Sequence, residues 1–434
     1  MKVERQEILP GVMLSYLNTG KFKTSYLSVS FINQLERETA SLNALIPNVL
    51  LRGSAAYPDM EKLTARMEEL YGAAVVPVVR RIGEIQTVGL AVSFPEEAFL
   101  PKGSDEFGQV AGLLSEIMFR PAFSGKSFRK DYVESEKEKL VQLLESVIND
   151  KRTYAYKRCV EEMCCYEDYS VGRCGRPEDV ENVTAGKLTR RYRELLETSP
   201  VEIFYCGREA SDRVADVIIK EFSSLPRGEI NYDIGTDIRY NSVEEQPRSV
   251  TEEMDVSQSR LVMGFRLGDS MDLELKTPIS VFNAVFGGSS NSKLFLNIRE
   301  KMQLCYDVFS TVDLRKGLLF ILCGTDSASV ETAKNGILQQ LEAISRGEIT
   351  DEELETAKAI VESDVLSTED SQQALESYYI VRALEGSERT PEESAEAVRR
   401  VSREDVAAVA NAVCFDITYL LLGNSDSSEE VQDD

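Results

Sequence analysis

Histidine is missing from all 434 positions. That absence removes the commonest general base and the commonest zinc ligand together. The chain also has no G-x-S-x-G elbow, no G-x-x-x-x-G-K-[ST] loop and no G-x-G-x-x-G turn after a strand, so serine-hydrolase and nucleotide chemistry lack their signatures. No run approaches the roughly 18 apolar residues of a membrane span. The N-terminal MKVERQEILPGVMLSYL lacks the apolar stretch of a secretory signal. Positive charge is scarce: 49 Lys and Arg stand against 74 Asp and Glu, a net −25. Such a chain is repelled by phosphate backbones, which argues against nucleic-acid binding. Eight cysteines spread over this length suit a reducing compartment better than a disulfide scaffold. These deficits predict a cytoplasmic protein without a membrane span.

Apolar residues make up 42% of the chain, which marks it as globular, and its length calls for at least two domains. The same unit is written twice. YLSVSFI (26–32) alternates like a strand, a helical stretch runs to Arg52, and DMEKLTARMEELYG is a second helix before the strands AAVVPVV and EIQTVGLAVSF. The second half repeats strand, helix, helix, strand, strand from SRLVMGFRL (259–267) to GLLFILCGT. At an offset of 234, Phe31 matches Phe265, Gly53 matches Gly287, Leu70 matches Leu304 and Gly83 matches Gly317.

Long helices follow in each half, at about 105–120 and 128–166 in the first, and TDEE opens one in the second as a capping box. Each half closes on a strand, PVEIFYCG and ITYLLLG. Residues 223–249 are polar and aperiodic and read as a linker; NSDSSEEVQDD at the end reads as a frayed acidic tail. The predicted fold class is α+β. Two homologous domains, 1–222 and 250–434, each carry a mainly antiparallel sheet covered on one face by helices.

Little of the chain advertises chemistry. Cys159, Cys164, Cys165 and Cys174 are spaced C-x₄-C-C-x₈-C, unlike the paired C-x₂₋₄-C of zinc sites, and read as structural thiols. VFGGSSNSKLF (285–295) is a Gly/Ser-rich turn feeding a helix start, a place whose backbone N–H groups can hold an anion or a peptide carbonyl. It precedes KLFLNIREKMQLCYDVFS (293–310), an amphipathic helix and then a strand, with Arg299 and Tyr306 seven residues apart.

FGGSSNSKLFLNIREKMQLCYDVFS resembles the C-terminal-domain segment of the insulinase/pitrilysin metallopeptidases, in particular their mitochondrial-processing-peptidase-like branch. The family pattern is roughly G-G-x-x-S-S-x-L-F-x-x-L-R-E-x-x-G-L-x-Y. Gly287, Gly288, Ser290, Leu294, Phe295, Arg299, Glu300, Leu304 and Tyr306 supply it here. The duplicated layout and length extend the resemblance over nearly the whole chain. Family members bind zinc through H-x-x-E-H on a first-domain helix and a distal glutamate, the motif's Glu serving as general base. Aligned through LLRGS, Ala44 and Asn48 stand at the histidine positions and Pro47 at the base. Pro47 is also expected to break that helix. Glu145 falls at the distal-ligand position, with Glu138 seven before it. One carboxylate cannot hold zinc without the rest, so Glu145 reads as a remnant or surface residue.

The resemblance implies a clam-shell-forming fold and a catalytically inactive bacterial subunit. It implies no catalytic residue, metal or cofactor in this chain, with zinc in an active H-x-x-E-H homologue paired as a heterodimer. Arg299 and Tyr306, with Gly287, Gly288 and Ser290, would bind a peptide substrate in trans. A homodimer is a further possibility that the resemblance leaves open. The alternative is a non-enzymatic scaffold or peptide-binding subunit, in which Arg299 pairs with a nearby carboxylate and Tyr306 packs on its own sheet.

Overall fold

The structure is a computed structural model that describes residues 1–268 and 276–423. The predicted acidic tail, 424–434, lies outside them. In chain order, strands β1 (Glu4–Leu9), β2 (Val12–Asn18) and β3 (Thr24–Gln34) precede helices α1 (Arg37–Leu50) and α2 (Met60–Glu69) and strands β4 (Ala74–Ile82) and β5 (Ile85–Pro95). Next come α3 (Glu106–Phe119), the short strands β6 (Phe123–Ser124) and β7 (Ser127–Phe128), α4 (Lys130–Glu145), α5 (Lys151–Met163), α6 (Pro177–Glu181), α7 (Ala185–Thr198), β8 (Val201–Gly207) and α8 (Ser211–Phe222). The second half holds β9 (Arg248–Met254), β10 (Ser259–Arg266), α9 (Lys276–Phe286), a π-helix (Leu294–Lys301), β11 (Asp307–Asp313) and β12 (Leu318–Thr325). It ends with α10 (Val330–Ser345), α11 (Asp351–Ser367), α12 (Gln372–Leu384), α13 (Pro391–Arg399), α14 (Arg403–Ala412) and β13 (Cys414–Gly423).

Among the described residues, the first sheet runs β1-β2-β8-β3-β5-β4 and the second β9-β13-β10-β12-β11. Apart from the extra edge strand β1, the two orders are the same. Each has one parallel pair, β2 with β8 and β9 with β13, and is otherwise antiparallel. The repeated glycines Gly83 and Gly317 both turn a hairpin at positive φ, +60° and +74°, which glycine adopts without steric cost.

The compact units are not the contiguous stretches 1–222 and 250–434. One comprises Met1–Glu145, Val171–Gly235 and Thr368–Thr390; the other comprises Ser146–Ser170 and the described residues of 236–367 and 391–423. Each unit therefore takes one helix from the opposite half of the sequence. In the first, α1, α3, α4, α7 and α8 bury one sheet face, whose residues include Leu27, Val29 and Phe31. The alternate residues of the other face, Tyr26, Phe204 and Cys206 among them, meet Leu375 and Tyr379 of α12. In the second unit, Leu261, Met263 and Phe265 face α9, α10 and α14. Val262, Phe320 and Tyr419 face Cys159, Val160 and Met163 of α5. The expectation of helices on one face only is thus corrected: both faces are covered, which is why β3 and β5 are buried on successive residues.

The predicted helix over 128–166 is in fact two. After Glu145 a 3₁₀ turn, Ser146–Asn149, intervenes, and the Asp150 carboxylate accepts hydrogen bonds from Arg152 N and Thr153 N to cap a new helix. The segment it starts is anchored in the second unit by buried charge. Arg266, fully buried, donates from Nε to Asp416 (2.8 Å) and from Nη2 to Glu167 (2.7 Å), and Lys316 Nζ lies 2.7 Å from Glu167. The corresponding anchor of α12 in the first unit is Glu376, held by the Arg80 guanidinium and by Ser28. The capping box expected at TDEE forms: Thr350 Oγ1 accepts from Glu353 N, and Glu353 accepts from Thr350 N. Among the described residues no helix is long and apolar enough to cross a membrane.

Candidate functional site

Helix α1 carries Ala44, Pro47 and Asn48, the positions at which the sequence resemblance would put a metal motif. It is a core helix, with nine of its residues buried, and it runs unbroken through Pro47. The expected break does not occur. Proline removes one N–H from the ladder, but Leu51 N still bonds Pro47 O, and burial on the sheet holds the turn. Ala44 is 1% exposed and packs in the core, Pro47 is buried, and the Asn48 amide donates back to Ala44 O at 3.1 Å. A methyl, a pyrrolidine ring and an amide offer none of the thiolate, imidazole or carboxylate donors zinc takes. Glu145 ends α4 exposed, and Glu138 on the same helix is exposed too. The residues here do not fit zinc, and among the described residues no group of three or more Cys, Asp or Glu side chains could hold a metal ion.

The carboxylate that α4 does bury is Glu136, which sequence reasoning passed over. It accepts from Arg52 Nη1 at 3.3 Å and from Lys139 Nζ at 2.7 Å. The cysteines of the one cluster are free thiols: Cys159 and Cys164 are buried, Cys174 is half-buried and Cys165 is exposed. Burial pushes the Cys164 thiol up to about 12, so it stays protonated and packs as a small apolar group.

The segment from Phe286 to Tyr306 lies within the second unit. Gly287 N and Gly288 N both bond Asn283 O, at 2.9 and 2.7 Å, closing α9. A Cβ on Gly287 would stand 2.7 Å from Leu294 and Ser310 atoms, so the first glycine serves close packing. Ser290 is exposed. The hydroxyl that starts the next helix belongs to Ser292, fully buried, whose Oγ accepts from Phe295 N at 3.3 Å. Lys293 beside it is paired with Glu353 at 2.8 Å.

The expected amphipathic α-helix is wound as a π-helix over Leu294–Lys301, and Met302 N reaches back to Asn297 O. Winding of this kind is rare and recurs at functional sites. It keeps Leu294 and Ile298 in the core and leaves Arg299 outside. The Arg299 side chain is 41% exposed, stacks over the Phe295 ring at 4.7 Å, and has only a loose 3.8 Å approach to Glu300. Gln303, which stands where the family pattern has glycine, takes φ +53° and turns the chain into β11. Tyr306 is 53% exposed; its N–H bonds Gly324 O at 2.8 Å and its hydroxyl donates to Asp326 at 3.0 Å. That bond to a carboxylate raises the phenol pKa and keeps the hydroxyl protonated as a donor. Asp326, distant in sequence, had no local signal. Gln303 did, as a departure from the pattern.

The peptidase M16 inactive domain profile matches residues 182–361. A Bacillus subtilis (strain 168) protein described as a probable inactive metalloprotease, YmfF, is 30% identical over 420 residues, covering 96% of this chain and 97% of that one. A conserved protein from Enterococcus faecalis V583 has a crystal structure similar to this chain, with a TM-score of 0.89, 27% identity and coverage of 99% and 100%. A peptidase M16 inactive domain from Pseudomonas fluorescens shares the fold at a TM-score of 0.78 and 15% identity, over 98% of this chain and 99% of that one.

Proposed function

The chain belongs to the peptidase M16 family as an inactive member, and from that premise we propose that it is the non-catalytic subunit of a zinc-peptidase heterodimer. The partner is an H-x-x-E-H homologue that holds the zinc and cleaves peptides. This chain presents Arg299 and Tyr306 to the peptide, on a second unit that follows a first unit with a degenerate metal position. The observation that carries the reading is the contrast in exposure. Ala44 and Pro47 are packed away, whereas Arg299 and Tyr306 stand open to solvent, the guanidinium with its donors unspent. A guanidinium holds backbone carbonyls through several donors. A tyrosine hydroxyl exchanges its bond to Asp326 for one to the oxygen that gains charge in the transition state. Gly287 and Gly288 shape the segment rather than touch substrate. The free thiols fit a cytoplasmic setting.

One observation favours a second reading, a peptide-binding or scaffold subunit without a catalytic partner: in the free chain the Tyr306 hydroxyl is already bonded within its own unit. Reconstitution separates the two. The chain alone should cleave no peptide and bind no stoichiometric zinc, and adding the zinc-bearing homologue should yield a complex that cleaves faster than that homologue alone. A complex with no gain in cleavage would leave the scaffold reading.

A further inference from the structure

On the sheet face opposite α1, the first unit holds a cleft of about 350 Å³ that the reading above does not use. Its floor is apolar: Met13, Ile32 and Ile85 come from the sheet, and Ala383 and Leu384 from the end of α12. Ile234, from the segment after β8 and α8, closes one side, and the exposed Tyr232 ring stands at the mouth. The volume is at the small end of what ligand pockets show, with the usual mix of apolar wall and few polar groups.

The polar end is charged asymmetrically. Buried Glu202 is fully engaged: Arg5 donates to both its oxygens, at 3.0 and 2.8 Å, and Ser15 Oγ donates at 2.6 Å. The Arg5 charge is thereby matched. Glu7, the second carboxylate of the cleft and exposed at its rim, accepts the Gly11 N–H at 2.9 Å and has no cationic partner among the described residues. One carboxylate is left over beside an apolar floor.

A second observation lies one step away on the same face. The Ser30 and Thr87 hydroxyls are fully buried and have no hydrogen-bond partner among the described residues. By register Ser30 stands opposite Glu202, and Thr87 opposite Ile32, both cleft-lining residues. Buried hydroxyls left unpaired are costly; these two lie behind the lining residues and do not themselves line the cleft.

We propose that this cleft is a binding site for a small primary amine with a branched aliphatic body, the chemistry of a peptide's apolar N-terminal residue. The aliphatic group fills the Met13, Ile32, Ile85 and Leu384 floor, and the ammonium meets Glu7. The site is independent of Arg299 and Tyr306 and stands or falls without them.

The test is calorimetric titration of the full chain with leucinamide, beside N-acetyl-leucinamide, in which the charge is removed. Leucinamide should bind, and acetylation or Glu7→Gln should each weaken binding by roughly tenfold or more. Ala383→Phe, which fills the floor, should abolish it. If that variant does not fold, methyl resonances of Ile32 and Ile85 in the unaltered chain decide, since leucinamide should shift both. The proposal is overturned if leucinamide fails to bind up to about 10 mM. Equal binding of the acetylated probe, unchanged binding in folded Ala383→Phe, or unmoved Ile32 and Ile85 methyls overturn it as well.

Discussion

The two units build one sheet order from the two halves of the chain, yet they treat their site-bearing segments in opposite ways. In the first, α1, where the sequence resemblance would put a metal motif, is ordinary core: Ala44 packs apolar, and Pro47 sits inside an intact helix. In the second, the Phe286–Tyr306 segment is wound into a π-helix that leaves Arg299 on the outside and ends at a strained Gln303. The units also anchor their borrowed helices differently. The second holds its segment with charges fully removed from water, Arg266, Lys316, Glu167 and Asp416. The first uses Arg80, about a quarter exposed, on Glu376. A repeated sheet order thus fixes where a strand or helix goes, while the residues on it decide whether a face is buried or open to solvent.

The largest effect should come from the deeper anchor. Arg266→Met leaves Glu167 and Asp416 facing each other without their guanidinium. Denaturant unfolding should show a loss of about 3–5 kcal/mol. Arg80→Met, at a pair whose guanidinium is about a quarter exposed, should cost clearly less. Equal losses would break the contrast between the anchors. The same cluster predicts acid sensitivity. Burial by itself would raise Glu167, but hydrogen bonds from Arg266 and Lys316 outweigh it and hold its pKa below the ordinary value. A depressed carboxylate stabilises the fold above its unfolded pKa, and that contribution is lost as pH falls through the lower folded value. Arg266→Met should flatten this acid limb, read from melting temperature against pH.

Next in size is the exposed pair. In the reconstituted complex, Arg299→Ala and Tyr306→Phe should each lower kcat/KM by about a hundredfold, the scale of losing one transition-state donor. Cleavage at the unaltered rate would mean that exposure of these side chains has no catalytic meaning.

Smaller effects probe each segment's local fit. Ala44→His forces a large polar ring into a filled site and should destabilise by about 1–3 kcal/mol without conferring stoichiometric zinc binding. Gln303→Gly removes the left-handed penalty of a side chain and should stabilise by about 0.5–1 kcal/mol. Smallest is Asp326→Asn: the Tyr306 phenol, raised by the neighbouring carboxylate, should titrate closer to the usual value of about 10 by ultraviolet difference spectra.

Much of this could be read without coordinates, and the limits are instructive. Alternation in YLSVSFI, the paired hairpin glycines and the TDEE cap are local signals, and β3, the turns at Gly83 and Gly317 and the start of α11 formed where they pointed. The GGSS-to-Tyr306 stretch located the candidate segment, with Ser290 exposed on it, but gave no sign that the buried Ser292 hydroxyl starts the next helix. Whether a hydroxyl caps a helix depends on where the first turn begins. The distal-ligand alignment pointed to Glu145 on α4, whereas the carboxylate that helix buries is Glu136, on the face turned to Arg52.

By itself, then, the sequence determined the order of elements, their duplication and the loss of every imidazole donor, because periodicity, turn chemistry and residue type act over a few neighbouring positions. Only the tertiary structure decided that α5 and α12 serve the unit of the opposite half, that Pro47 lies in an unbroken helix, and that Arg299 and Tyr306 face water. Those outcomes rest on contacts such as Arg266 with Asp416 or Tyr306 with Asp326, between residues far apart along the chain or buried by distant neighbours. No local pattern encodes them, and the burial they produce outweighs the local preference of a single proline.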